Sequence, residues 1–424
     1  MKYYRDILQI ALPAMAENFL NFLMGTVDSY LVAHLGLIAI SGVAIANNII
    51  SIFQAIFIAL GTAASAILAN SYSRKSQEKL AVQVVEVLKL SILLGLFLGI
   101  ISIFAGKDLL LFLGAEESVA LAGGVYLAWV GGGILFLALS LSLGAILRSL
   151  GKSRLPMYVS LLSNVLNLLF SSIAVFLFQA GIVGVALGTL FSRLIACLIL
   201  WQQLPLKLRR PSWKVDMELL ALALPAAGER LMMRAGDVVV VTLIVSMGTA
   251  VVAGNAIGET LTQFNYMPGM GIATALVILV AQARGRGDSE QVRILVKSAY
   301  WLSLVWMALI SGLVFLFGTF LAGLYTQDSQ ALAAASLVMF YAFCGTPATA
   351  GTLMNTALWQ GVGNARLPFY ATTLGMWLVR VGLASLLTMA LGWGLSGVWL
   401  ATILDNMFRW VFLSRAFAWR EKKG

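Results

Sequence analysis

Apolar residues dominate this chain in long uninterrupted runs, and polar residues gather in short stretches between them. Twelve such runs stand out: 7–35, 37–69, 80–106, 121–148, 156–179, 181–203, 218–247, 249–282, 292–323, 331–360, 367–390 and 393–416. Each exceeds the roughly 20 residues a helix needs to cross a bilayer. None shows the strict alternation of a β-strand, which argues against an outer-membrane barrel. The pattern predicts an all-α integral membrane protein of twelve transmembrane helices. Several runs are longer than a bilayer requires, so tilt, kinks or protrusion are expected. The first run is too long and too acidic for a cleaved signal peptide.

Lysines and arginines sharpen the topology. They lie near the N-terminus, in every second loop and in the C-terminal tail; the alternate loops hold only Lys107. The positive-inside rule then places both termini in the cytoplasm, which requires an even number of spans.

The two halves of the chain repeat. Ala11-Leu12-Pro13-Ala14 recurs as Ala223-Leu224-Pro225-Ala226, a shift of 212. At the same shift Glu17 meets Glu229, Gly36 meets Gly248 and Gly42 meets Gly254. Gly151, Arg154, Leu155, Pro156 and Tyr158 likewise meet Gly363, Arg366, Leu367, Pro368 and Tyr370. One constant offset marks a duplication into two lobes, residues 1–205 and 206–424, joined by the basic segment Leu204–Met217.

Composition agrees with this picture: 60% of residues are hydrophobic and 11% charged. The net charge of +10 is spread over loops rather than gathered in a patch, so a nucleic-acid partner is not expected. Cys197 and Cys344 sit inside apolar runs, and His34 is the one histidine, which leaves no metal or disulfide framework. No glycine-rich phosphate loop is present, so no ATP-driven motor is expected and the energy must come from a gradient. Nothing marks an enzyme or a resident cofactor.

Charges inside apolar runs are costly and point to function. The acids are Glu17, Asp28, Glu229, Asp237, Glu259 and Asp405; the arginines are Arg193, Arg230, Arg234, Arg380 and Arg409. Glu17 and Asp28 are eleven residues apart, which returns to within about 20° on a helix and separates them by roughly 16 Å. Asn21 and Met24 share that face. Arg234 and Asp237 can pair along one helix, as can Asp405 and Arg409. Arg380 needs a partner from another helix or a wet cavity. Glu259 and Gln263 precede Pro268, and Asn47 takes the matching place in the first half, followed by Gln54. Asp28 has no basic neighbour on its own helix. An unpaired buried carboxylate has its ionised form disfavoured by desolvation, the physical requirement for a proton switch. Phe19, Met24, Phe53, Met233 and Phe264 could add a pliable apolar wall, or serve ordinary helix packing.

At these residues the chain resembles the multidrug and toxic compound extrusion (MATE) family. The carriers are Val27-Asp28 with Leu35-Gly36, Ala44-Ile45-Ala46-Asn47, Gly151 to Pro156 with Asn164 and Asn167, Gly184-Val185-Ala186 with Thr189, and Gly397 to Ala401. The resemblance implies two six-helix bundles around a V-shaped cavity. It implies export of drug-like cations in exchange for protons or sodium, by a monomer in a prokaryotic inner membrane. It places the coupling ion at Asp28, with Asn167 and Thr189 around it and Ser171 where many relatives carry a second acid. Span 10 lacks the acid some relatives have, and Asn355 is its nearest polar residue. A sodium ion near Asp28 would have to rely on neutral oxygens there. Together with the polar residues read above, the expected cavity lining is Glu17, Asn21, Met24, Asn47, Glu229, Met233, Asp237, Glu259, Gln263, Asn355 and Arg380. Two other readings stand beside it: a flippase for lipid head groups, gripped by Arg230, Arg234 and Arg380, and a passive channel.

Overall fold

The computed structural model describes residues 2–204 and 216–423. The basic segment between them, with Lys207, Arg209, Arg210 and Lys214, and the expected lobe boundary lie outside the described residues.

Among the described residues the chain is helical with no strand. Eight helices are long and apolar enough to cross a membrane. They are α1 (Lys2–Ala33), α2 (Leu37–Ser73), α3 (Gln77–Phe112), α5 (Arg154–Leu177), α6 (Gly181–Gln202), α8 (Thr249–Gly285), α9 (Ser289–Leu316) and α11 (Arg366–Ala390). Two bent pairs supply α4 (Glu117–Gly131 with Ile134–Ser149, 45°) and α10 (Ser329–Cys344 with Thr346–Gly361, 56°). The remaining helices of spanning length, α7 (Met217–Val245) and α12 (Gly394–Lys423), are the ones that carry the acid–arginine groups noted above. A short helix, Gly318–Gly323, follows α9 and occupies the end of the expected ninth run.

Local chemistry explains the irregularities. The α4 bend falls at Gly131-Gly132-Gly133, where no side chain supports the helix. The α10 bend falls at Gly345, just before Pro347, whose ring nitrogen cannot donate to the preceding turn. Wider π-turns interrupt α4 at Leu127–Gly131, α5 at Ile173–Leu177 and α11 at Gly375–Val381 and Leu386–Ala390. Such turns shift the register of every side chain after them.

The repeated glycines have a structural reason. Gly36 and Gly248 adopt φ of 107° and 105°, and Gly151 and Gly363 adopt 84° and 80°. These are left-handed turns that side chains with a Cβ resist. Gly42 lets α2 approach α4: a Cβ there would lie 2.6 Å from the backbone nitrogen of Gly123.

The chain forms two compact units. One is Ala16–Ala223; the other comprises the residues up to Met15 and those from Leu224 on. The starts of α1 and α7 thus belong to a different unit from the rest of their helices, the divisions falling within two residues of the repeated Pro13 and Pro225. In the first unit a core of Leu31, Val32, Val43, Phe57, Leu127 and Val185 packs the helices around Asp28. In the second, Val240, Ile244, Val338, Leu395 and Val398 form part of the core.

Candidate functional site

In the unit Ala16–Ala223, α1, α2, α4, α5 and α6 enclose a cavity of about 260 Å³. That is just under the roughly 300 Å³ at which small-molecule pockets begin. Glu17, Asn21, Met24 and Asp28 line it from α1, Asn47 and Gln54 from α2, and its polar wall also includes Tyr126, Ser140 and Arg193.

Asp28 is 4% exposed. The Thr189 hydroxyl lies 3.1 Å from its Oδ2 and 3.0 Å from the Val185 carbonyl, one turn back on α6. A hydroxyl has one hydrogen and serves one acceptor at a time. Asn167 of α5 donates to Thr189 Oγ1 at 3.0 Å. The three residues expected around the coupling ion therefore meet: α1, α5 and α6 each supply one. Ser171 is placed differently. It is fully buried, and its hydroxyl reaches the Val185 carbonyl at 3.4 Å rather than Asp28. The α5–α6 approach is close here, because a Cβ on Gly188 would lie 2.7 Å from the Ser171 nitrogen.

Asp28 is less isolated than its own helix suggested. Arg193, one turn beyond Thr189 on α6, lines the same cavity and acts electrostatically on both Asp28 and Tyr126. No ion pair joins Arg193 to Asp28 among the described residues, and Arg193 Nη1, Asp28 Oδ1 and Ser140 Oγ are buried without hydrogen-bond partners. Arg193 is legible in the sequence as a charge inside an apolar run, but what it faces is not.

Glu17 is held by Arg148 of α4, with 2.5 Å between Oε2 and Nη1. Its repeat counterpart Glu229 accepts from Gln360 Nε2 at 3.3 Å and Thr372 Oγ1 at 3.1 Å. Arg148 and Gln360 are themselves 212 apart, so the duplication kept the geometry and exchanged an ion pair for an amide. The shift that aligned the two glutamates could have found both partners.

The second unit holds an extended charge network. Arg380 of α11 bridges Asp237 of α7 (3.1 Å) and Asp405 of α12 (3.0 Å). Arg409 pairs with Asp405 at 2.8 Å, the i,i+4 contact expected within α12. The ion pair of Asp237 is therefore with Arg380, not with Arg234 on its own helix. Arg380 lies within the π-turn Gly375–Val381. Met233 lies beside Arg409, with Sδ 3.9 Å from Nη1. Asn355 is taken up in helix packing: it donates to the Gly351 carbonyl and accepts from Ser414 of α12 at 3.1 Å. Glu259 and Gln263 are exposed on α8. By this part of the chain the offset has become 213, since Gly181 (φ 57°) matches Gly394 (φ 53°), and Arg193 then corresponds to the uncharged Asn406.

Comparison with known proteins agrees with this architecture. The MatE family profile matches residues 13–173 and 225–400. A Thermotoga maritima protein named probable multidrug resistance protein NorM is 28% identical, over 96% of this chain and 90% of its own length. Uncharacterized transporter YisQ of Bacillus subtilis is 26% identical over 98% of this chain and 94% of its own. A solved structure described as a MOP superfamily transporter from Pyrococcus furiosus superposes with a TM-score of 0.90 at 21% identity, covering 99% of this chain and 96% of that one. A structure of MATE in its bent conformation matches equally, at 0.90. The superpositions establish the shared fold, and the profile spans both halves of the duplication: the chain belongs to the MatE family, the multidrug and toxic compound extrusion transporters.

Proposed function

We propose that this transporter exports drug-like compounds in exchange for protons, with Asp28 as the carrier of the coupling proton and both termini in the cytoplasm of a prokaryotic cell. The observation that supports it is the buried Asp28–Thr189–Asn167 arrangement. When Asp28 is ionised, the Thr189 hydroxyl turns to its carboxylate. When Asp28 is protonated, its own O–H can donate to Thr189, and the threonine hydroxyl returns to Val185. One proton thus reverses the bond that ties α1 to α6, which biases two arrangements of the lobe.

The oxygens around Asp28 favour the proton over sodium. A proton and a sodium ion each add one charge beside the Arg193 guanidinium, so charge alone does not choose between them, whereas sodium also needs a shell of hard oxygens. Asp28, Thr189 and Asn167 offer few oxygens for a hard cation, and Ser171 is turned to Val185. The flippase reading loses one of its three phosphate-gripping arginines, since Arg380 is held between two carboxylates.

The test uses purified protein in liposomes. With sodium absent on both sides, an imposed proton gradient should drive full uphill efflux, and a sodium gradient alone should drive none. Efflux that needs sodium would overturn the proton reading.

A further inference from the structure

The cavity wall carries three charged side chains among the described residues: Glu17, Asp28 and Arg193. Glu17 is committed to Arg148. The two that remain are of opposite sign, share one small cavity and are not joined by an ion pair. Each has a buried polar atom without a partner, Arg193 Nη1 and Asp28 Oδ1, and the Ser140 hydroxyl in the same wall is also unpartnered. Buried polar atoms of this kind are rare and call for an explanation. A simple counter-ion would close onto its carboxylate and satisfy both groups. The wall of one cavity thus holds unpartnered donors together with an unpartnered acceptor.

We propose that Arg193 and Ser140 form an anion subsite in the Asp28 cavity, so that the ligands taken there carry a carboxylate beside a cationic group. The carboxylate meets the guanidinium and the hydroxyl; the cation faces Asp28. Guanidinium is the side chain best shaped for carboxylate, and a charge-assisted bond to it is about twice as strong as a neutral one. A singly charged cation finds a partner in Asp28 but brings its charge close to Arg193 as well. The volume of about 260 Å³ suits a dipolar head group rather than a whole drug, with the apolar remainder outside. This deepens the proposed function and rests on its premise that substrate enters the cavity.

The experiment is equilibrium binding to the purified full chain in detergent, without any gradient. The probes are a dansyl-tagged ammonioacetate, which is zwitterionic, and its methyl ester, which is a cation of nearly the same shape. The wild-type protein should bind the zwitterion at least tenfold more tightly, the lower end for a charge-assisted hydrogen bond. Arg193→Gln should invert the preference, because Asp28 alone then faces the ligand. Arg193→Lys should keep the preference in weakened form, and Ser140→Ala should reduce it severalfold. Equal affinity for both probes in the wild type, or an unchanged preference in Arg193→Gln, would overturn the anion subsite and leave the coupling reading intact. Failure of both probes to bind would overturn the premise with it.

Discussion

Asp28→Asn protein in liposomes should equilibrate its substrate but no longer concentrate it against a gradient. One charge moving through roughly 100 mV is worth about 2.3 kcal/mol. One pH unit adds about 1.4 kcal/mol. For a substrate without net charge, exchange with a single proton therefore sustains a gradient of about 500-fold. Asparagine keeps the size of Asp28 and can still bond to Thr189, so the lobe should fold. It cannot take up and release a proton, and the reversal of the α1–α6 bond is lost. The expected reading is a fall from several hundredfold accumulation to near unity. Unimpaired proton-driven accumulation in this variant would remove Asp28 from the coupling step.

The second large effect is on stability. Asp405 is 0% exposed, and its Oδ2 holds both Arg380 and Arg409. Replacing it with asparagine leaves two guanidiniums close together with Asp237 as their remaining acid. Breaking a buried pair from one side costs about 3–5 kcal/mol. Asp405→Asn should therefore lower the thermal unfolding midpoint sharply. Removing Arg409 in the same chain, as Asp405→Asn with Arg409→Met, should recover part of the loss. A recovery near zero would mean that Arg409 does not share the cost, contrary to its 2.8 Å contact.

Much of the fold was legible because hydropathy and duplication are properties of the chain itself. The glycines at 36 and 248, and at 151 and 363, recur because the same left-handed turn is needed in each half. The site was legible in proportion to how local it is. Asp405 and Arg409, four apart on one helix, meet as the spacing suggests. Arg234 and Asp237, three apart, do not form the pair that counts, because Arg380 reaches Asp237 from another helix. Asn355 had the composition of a cavity residue, yet its amide is spent on α10 and α12. Arg193 was visible as an anomaly, but its relation to Asp28 depends on how α6 packs against α1. That packing is set by the tertiary core and not by spacing within either helix.

The central claim is that a proton resides on Asp28 and leaves or arrives as substrate is exchanged. Infrared difference spectroscopy on the purified transporter measures it directly, through the C=O stretch of a protonated carboxyl group. The account predicts a band in the wild type that responds to both pH and substrate, shifts on isotopic labelling of aspartate and disappears in Asp28→Asn. A substrate-responsive carboxyl band that persists unchanged in Asp28→Asn would contradict it.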